Sequence, residues 1–184
     1  DLEDDTNVLI VGAGYTDTAG NAASAGLTSG NYEVETLLPV LTIGITSNNA
    51  DATKAKSGDI ITLTITVSET VTGLVCTIDG EATGSTGSGT SWTSTLTLSG
   101  DETEQVTVFS CASYTDAAGN AGVTDTSANT GSVTVDLTAP LVGIGTIATD
   151  GYINSAEAGS FTITGTASGA NGQTVTVTYG GASE

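Results

Sequence analysis

Ile60-Ile61-Thr62-Leu63-Thr64-Ile65-Thr66-Val67 is the stretch on which the fold turns. Its aliphatic residues Ile61, Leu63, Ile65 and Val67 alternate with Thr62, Thr64 and Thr66. A period of two places one set in a core and the other in water, the pattern of a half-buried β-strand. The same kind of segment recurs on both sides. Val40–Thr46 precedes it, and Gly73–Ile78, with Leu74, Cys76 and Ile78 on one face, follows. Glu81–Thr83 is a faint strand, Gly84–Gly89 reads as a small-residue loop, and Ser91–Leu98, Gln105–Ala112 and Gly131–Asp136 complete the series. In 105–112, Val106, Val108 and Ala112 share one face and Phe109 and Cys111 the other, and parity alone leaves the inner face open.

The chain also repeats itself. Tyr15-Thr16-Asp17-Thr18-Ala19-Gly20-Asn21-Ala22 returns as Tyr114-Thr115-Asp116-Ala117-Ala118-Gly119-Asn120-Ala121, an offset of 99. Pro39 and Pro140 lie 101 apart, and each has an acid four residues earlier, Glu35 and Asp136. A period of about 100 residues matches an immunoglobulin-like sandwich and is too long for a solenoid repeat. The expected fold is therefore all-β: tandem Ig-like Greek-key sandwiches, one complete domain flanked by two partial ones. Residues 38–138 form the complete domain. Residues 1–37 supply only the last two strands of a preceding domain, and 139–184 only the first three of a following one.

Composition narrows the function. The chain has 184 residues, 21 acids against two lysines, no His and a net charge of −19. The charged fraction is only 12% and the apolar fraction 38%, so the chain is expected to fold. Such a charge with no basic patch argues against nucleic acid and anionic membrane and favours cations. Without His, the commonest general base and transition-metal ligand are missing, and no nucleophile–base pair can be assembled. An enzyme is not expected. No 18-residue apolar stretch is present, so membrane insertion is not expected either. With no initiator Met and no signal peptide, the chain reads as a mature product or a window cut from something larger.

The signature Tyr114–Asn120, followed by Val133-Thr134-Val135-Asp136-Leu137-Thr138-Ala139-Pro140, resembles the tandem bacterial Ig-like repeats of large surface adhesins and biofilm-associated proteins. The first copy keeps Tyr15–Asn21 but has Val34-Glu35-Thr36-Leu37-Leu38-Pro39 as its linker, and Asp150–Glu157 is similar to stretches of such repeats. The resemblance implies an extracellular or cell-surface spacer, with calcium stiffening the joints between domains. Its partners would be neighbouring repeats or identical subunits, and a surface glycan or protein target. Two features depart from it: a cysteine pair, and Trp92 on the strand 91–98.

In an Ig-like sandwich the loops at each end bring distant acids together. The exit end of the complete domain collects Asn49, Asp51, Asp101, Glu102 and Asp136. The entry end presents Asp116 and Asn120 to Glu3, Asp4, Asp5 and Glu35 of the preceding piece. Stacked carboxylates repel, and Ca2+, with six to eight oxygen ligands, removes that cost. The plainer reading is a solvated acidic surface, with Asp116 and Asn120 serving only to shape their turn. Asp150, Gly151, Ile153, Asn154 and Glu157 fall at positions 5, 6, 8, 9 and 12 of an EF-type loop, but Thr146 and Ala148 occupy positions 1 and 3, so it is half a loop. The complete domain carries Lys56 in place of Glu157; Lys54 and Lys56 are expected to pair with Asp51 or Glu69.

Cys76 and Cys111 fall on strands that neighbour each other in an Ig-like sheet, and an oxidising surface context favours a disulfide between them. Two buried free thiols are the rival reading. Three functions remain: a spacer or stalk module, a self-assembling filament or sheath subunit completed head to tail by strand exchange, and a glycan- or ice-binding module. For the last, aromatic platforms are scarce, Trp92 and five Tyr, and no Thr-x-Thr array repeated at fixed loop spacing is legible.

Overall fold

The computed structural model describes residues 4–170 and 172–178, with side chains from residue 7 onward. Every regular element among them is a strand, and the fold is all-β and sandwich-like. The chain divides into two compact units, Asp1–Asp136 and Leu137–Glu184.

The first unit opens with two short antiparallel ladders. β1 (Asp4–Asn7) pairs with β4 (Tyr32–Val34), and β2 (Ile10–Val11) pairs with β3 (Leu27–Thr28). Val8, Leu9, Ile10, Val11 and Leu27 stay exposed there, because none of the described residues of the unit covers them.

The sandwich follows. It comprises β5 (Leu41–Ser47), β6 (Lys54–Ala55), β7 (Ile60–Val71), β8 (Val75–Ile78), β9 (Glu81–Thr83), β10 (Thr86–Thr97), β11 (Phe109–Ala112) and β12 (Thr134–Val135). One sheet has the order β10-β7-β5 and the other β11-β8-β9. Leu41, Ile43 and Ile45 of β5 and Ile61, Leu63, Ile65 and Val67 of β7 point inward, while Thr62, Thr64 and Thr66 face out. Facing them across the core are Cys76, Ile78, Phe109 and Cys111, so the inner face of the segment 105–112 is the one that carries Phe109. Val106 and Val108, on the other face, are exposed. β12 runs parallel to β6, and Val106–Thr134 bridges the last strand to the second sheet.

Several boundaries differ from expectation. β7 runs on to Val71, four residues past the aliphatic run. β10 begins at Thr86, inside the segment read as a loop: Gly87 leaves room for the close approach of the Ser91 carbonyl, 2.3 Å from where a Cβ would stand. Regular pairing in 105–112 is confined to Phe109–Ala112, and in 131–136 to Thr134–Val135. Lys56 pairs with neither Asp51 nor Glu69 but with Asp59, 2.8 Å away three residues along the same turn, where little side-chain entropy is lost.

Cys76 and Cys111 form a disulfide. The backbone ladder explains why they meet. Cys111 exchanges both backbone hydrogen bonds with Asp125 on its other side, Cys111 N donating at 2.8 Å and Asp125 N at 2.9 Å. Toward β8 it is therefore a non-hydrogen-bonded partner of Cys76, the pairing in which antiparallel Cα atoms come closest. The two Cα atoms are 4.1 Å apart, and both residues are 0% exposed.

In the second unit β13 (Leu141–Ile144) pairs antiparallel with β14 (Gly165–Ser168). The third strand expected in this piece is not formed among residues 172–178, and the expected match at Tyr179–Gly181 lies outside the described residues. In the first unit the equivalent strand, β8, is held by β11, and the described residues of the second unit contain no counterpart of β11.

Candidate metal centre

Two copies of the Asp-x-Ala-Gly-Asn loop share both bonds between their Asp and Asn and differ in a third. In the first, Asp17 Oδ1 accepts hydrogen bonds from the backbone N–H groups of Ala19 and Asn21, both at 2.9 Å, and Asn21 Nδ2 donates to Asp17 Oδ2 at 2.7 Å. In the second, Asp116 Oδ1 accepts from Gly119 N at 2.7 Å and Asn120 N at 2.8 Å, and Asn120 Nδ2 donates to Asp116 Oδ2 at 2.9 Å. Gly20 and Gly119 take φ values of 90° and 98°, where a side chain would be strained. The motif thus closes a turn with its own atoms, as the plainer reading of Asp and Asn required.

Their surroundings differ. Tyr15 is 56% exposed, whereas Tyr114 is 2% exposed and donates its hydroxyl to the Val123 carbonyl at 2.8 Å. Burial, and secondarily the negative charge of Asp125, hold the Tyr114 hydroxyl above its ordinary pKa. The second loop also meets two further acids. Asn120 Nδ2 reaches the Glu35 carboxylate oxygen Oε2 and, at 3.3 Å, the Glu35 backbone carbonyl. The other carboxylate oxygen of Glu35 accepts from Leu37 N at 2.6 Å. Glu69, near the end of β7, completes the group. Glu35, Glu69 and Asp116 each offer an oxygen, all within 4.8 Å of one another.

Asp116 is 6% exposed. Burial pushes its carboxyl upward, but the hydrogen bonds it accepts, chiefly from Asn120 and also from Gly119 N, outweigh burial and hold it below the ordinary Asp value. The carboxylate is therefore kept ionised beside two other acids. Ca2+–oxygen distances of about 2.3–2.6 Å place ligand oxygens on opposite sides of the ion about 5 Å apart, so oxygens within 4.8 Å of one another suit one hard cation. Oxygens that already accept one hydrogen bond keep a lone pair for a metal. The donor set, all oxygen and anionic, matches calcium rather than a soft transition metal.

Of the other expected ligands, none joins a comparable group among the described residues. Asp4 and Asp5 lie in β1 and their side chains are outside the described set. Glu102 accepts from Ser99 N at 2.7 Å and Gly100 N at 2.8 Å, and Ser99 Oγ also donates to Asp101. Burial opposes ionisation of Glu102, yet these bonds lower its pKa to about 2. Asn49 and Asp51 likewise close their own turn, Asn49 Oδ1 accepting from Asp51 N at 3.1 Å and Asp51 from Thr53 N at 3.0 Å, while Asn49 Nδ2 donates to Asp59 at 2.7 Å. Asp136 ends the first unit with its N–H on the Ala55 carbonyl at 2.9 Å. In the second unit Asp150 accepts from Tyr152 N at 2.9 Å, while Asn154 and Glu157 cap each other's backbone N–H groups at 3.2 and 3.1 Å. The half EF-type loop is wired as a pair of capped turns.

Glu69 was absent from the expected ligands. The signal was present: continuing the alternation of 61, 63, 65 and 67 puts Glu69 at an inward position, between buried Val67 and Val71. An acid on the core face at the end of a strand calls for a partner.

A family model described as bacterial Ig-like domain matches residues 36–133, more than half of the chain. The chain belongs to the bacterial Ig-like domain family. No curated protein and no solved structure matches it. The Ig-like domain is a non-catalytic fold type, and bacterial Ig-like domains typically occur in extracellular or surface proteins. The matched span contains Glu69 and Asp116 and stops one residue short of Glu35. The three carboxylates thus come both from the Ig-like domain and from the segment that precedes it.

Proposed function

We propose that this chain is a structural module of an extracellular bacterial surface protein, a spacer or stalk segment of a tandem Ig-like array in an adhesive or biofilm setting. Residues 38–138 are its complete domain, and 1–37 and 139–184 belong to flanking repeats. Calcium held by Glu35, Glu69 and Asp116, beside Asn120, fixes the preceding segment against the complete domain. The single observation behind this reading is the convergence of those three carboxylates from segments distant in sequence, one of them just before the Ig-like match. With the ion bound, the mutual repulsion of the acids becomes an attraction, and the linker at Thr36–Pro39 loses its freedom to swivel.

The measurement is a thermal melt and a calcium titration of the parent and of Glu69→Gln. A ligand that binds only the folded state adds about 2.7 kcal/mol at a hundredfold excess over Kd. Calcium is expected to raise the melting temperature of the parent and to have a much smaller effect on the variant. Identical melts with calcium and with chelator, together with no binding heat, would overturn the reading.

A filament subunit completed by a neighbouring chain is the second reading. It is favoured by the uncovered apolar residues of both outer segments: Leu9, Ile10, Val11 and Leu27 in one, and Leu141, Val142 and Ile144 in the other. A half-sandwich from an adjoining repeat would cover either face, whether it came from the same polypeptide or another. Deleting residues 1–36 should abolish any filaments, and filaments that persist unchanged would dismiss this alternative.

A further inference from the structure

Two of the three clustered carboxylates, those of Glu35 and Glu69, also line an open cleft of about 370 Å³, together with Ser68 and the aliphatic residues Leu37, Leu38 and Val40. The three aliphatic side chains are exposed, while Pro39 between them is buried. Two hydrogen bonds fix this apolar wall to the acids. Leu37 N donates to the Glu35 carboxylate at 2.6 Å, and Val40 N donates at 3.0 Å to Ser68 Oγ, next to Glu69. An exposed apolar patch rimmed by polar groups marks a surface on which another molecule sits. A bare metal ion makes no use of such a wall.

The acids fit a second kind of cation. A lysine ammonium has three N–H donors and no acceptor. With charge-assisted N–H···O distances of about 2.8 Å in tetrahedral directions, its three acceptor oxygens stand about 4.6 Å apart. Glu35, Glu69 and Asp116 each offer one oxygen, all within 4.8 Å of one another. A lysine stem lies along apolar surface while its head stays with polar groups, which suits the wall beside these oxygens. The chain's own two lysines are remote. Both lie by the start of β7, where Lys56 pairs with Asp59, whereas Glu69 lies near the end of that 12-residue strand. A net charge of −19 attracts a basic partner. The cleft falls within the range of about 300–1,000 Å³ of ligand pockets, more than one four-carbon stem fills, so the flanking residues of a peptide have room.

We propose that Glu35, Glu69 and Asp116, with the wall of Leu37, Leu38 and Val40, form a docking site for a lysine side chain presented by a partner protein. The three carboxylates receive the ammonium and the wall receives the stem. The proposal rests on the reading of these carboxylates as a cation site and adds a second occupant to it. Calcium and lysine draw on the same oxygens, so each excludes the other. A joint stiffened by calcium is closed to the partner, and a joint that has lost its calcium is open to it.

The test is calorimetric titration of the full chain, in chelator, with a capped Gly-Val-Lys-Val-Gly peptide. Salt at about 0.15 M screens general attraction to the acidic surface. Two control peptides replace the lysine, one by norleucine, which has no charge, and one by trimethyllysine, which keeps the charge and loses the three donors. Both are expected to bind at least about tenfold more weakly than the lysine peptide. Glu69→Gln should weaken the lysine peptide to the same degree. Leu38→Ser, which keeps all three carboxylates, should weaken it several-fold. Saturating calcium should displace it. No binding of the lysine peptide, equal affinity for lysine and trimethyllysine, or a peptide unmoved by bound calcium would overturn the proposal. The two readings fail separately: heat from calcium without lysine selectivity sinks this one alone, and lysine selectivity without heat from calcium sinks the calcium reading alone.

Discussion

Replacing both Cys76 and Cys111 with Ala tests the energetic account of the disulfide. The bond acts chiefly on the unfolded chain, where it removes the conformations in which the two residues are apart. For a separation of 35 residues the chain-entropy model gives about 3.8 kcal/mol at 25 °C. Domains of this size are typically stable by about 5–15 kcal/mol, so the loss would remove a large share of the total. Urea unfolding followed through the single tryptophan, Trp92, reads it directly. Trp92 is half-buried in β10 and donates its ring N–H to the Gly89 carbonyl at 3.1 Å, so unfolding changes its environment. With a urea slope of about 1–3 kcal/mol per molar, the midpoint should fall by roughly 1–4 M. The comparison is made on extrapolated free energies, because a cross-linked unfolded chain is more compact and has a smaller slope. A double variant within 1 kcal/mol of the parent would refute the reasoning and show that the unfolded chain is not the state on which the bond acts.

Other outcomes follow from single residues. Tyr114→Phe should cost about 1 kcal/mol, since the Val123 carbonyl loses its donor, whereas Tyr15→Phe in the exposed copy should be neutral in a melt. Gly122→Ala should cost about 1–3 kcal/mol, because a Cβ there would lie 1.8 Å from the Tyr114 ring; a melting temperature equal to the parent's would contradict the packing described. Asp59 is lowered from 3.8 to about 2 by hydrogen bonds from Asn49 and Lys56, and Glu102 from 4.5 to about 2 by the turn at Ser99–Gly100, against the pull of burial. Both are depressed carboxylates, so the stability they lend is complete above about pH 4.5 and is lost as pH falls through 2. Stability measured against pH should decline over that window, and Glu102→Gln should flatten the decline.

The parts of the fold legible in the sequence are those governed by local alternation. The run 60–67 announced its inner face because Ile61, Leu63, Ile65 and Val67 alternate with three threonines. The segment 105–112 did not, since valines occupy one face and Phe109 and Cys111 the other; only the packing of the opposite sheet selects between them. The loop reading of 84–89 failed because glycine was taken as a breaker where it permits close backbone approach. For the candidate centre, Glu35, Asp116 and Asn120 could be named in advance, because a repeated loop and a repeated linker put them at the same end of a sandwich. Glu69 was missed because the strand was read as ending at Val67, although the alternation runs on through Glu69 to Val71. Conversely, the other acids were named for their expected place at a sandwich end or in an EF-type loop, and most of the described ones bond atoms of their own turns, while Asp136 follows β12. Such local bonding is invisible in a count of carboxylates.

The Asp-x-Ala-Gly-Asn turn keeps both bonds between its Asp and Asn beside an exposed tyrosine and beside a buried one. A turn that depends on no neighbour is portable: it can be copied from one repeat to the next, and drift in the surrounding sequence does not erode its shape. Variation in an array is then free to settle in what the turn faces. Here the second turn faces two acids supplied from elsewhere in the chain. In a lengthening gene, joints that grip a cation and joints that swivel could thus alternate by single substitutions at positions such as Glu35 and Glu69, with the turn itself serving unchanged as the fixed half of every joint.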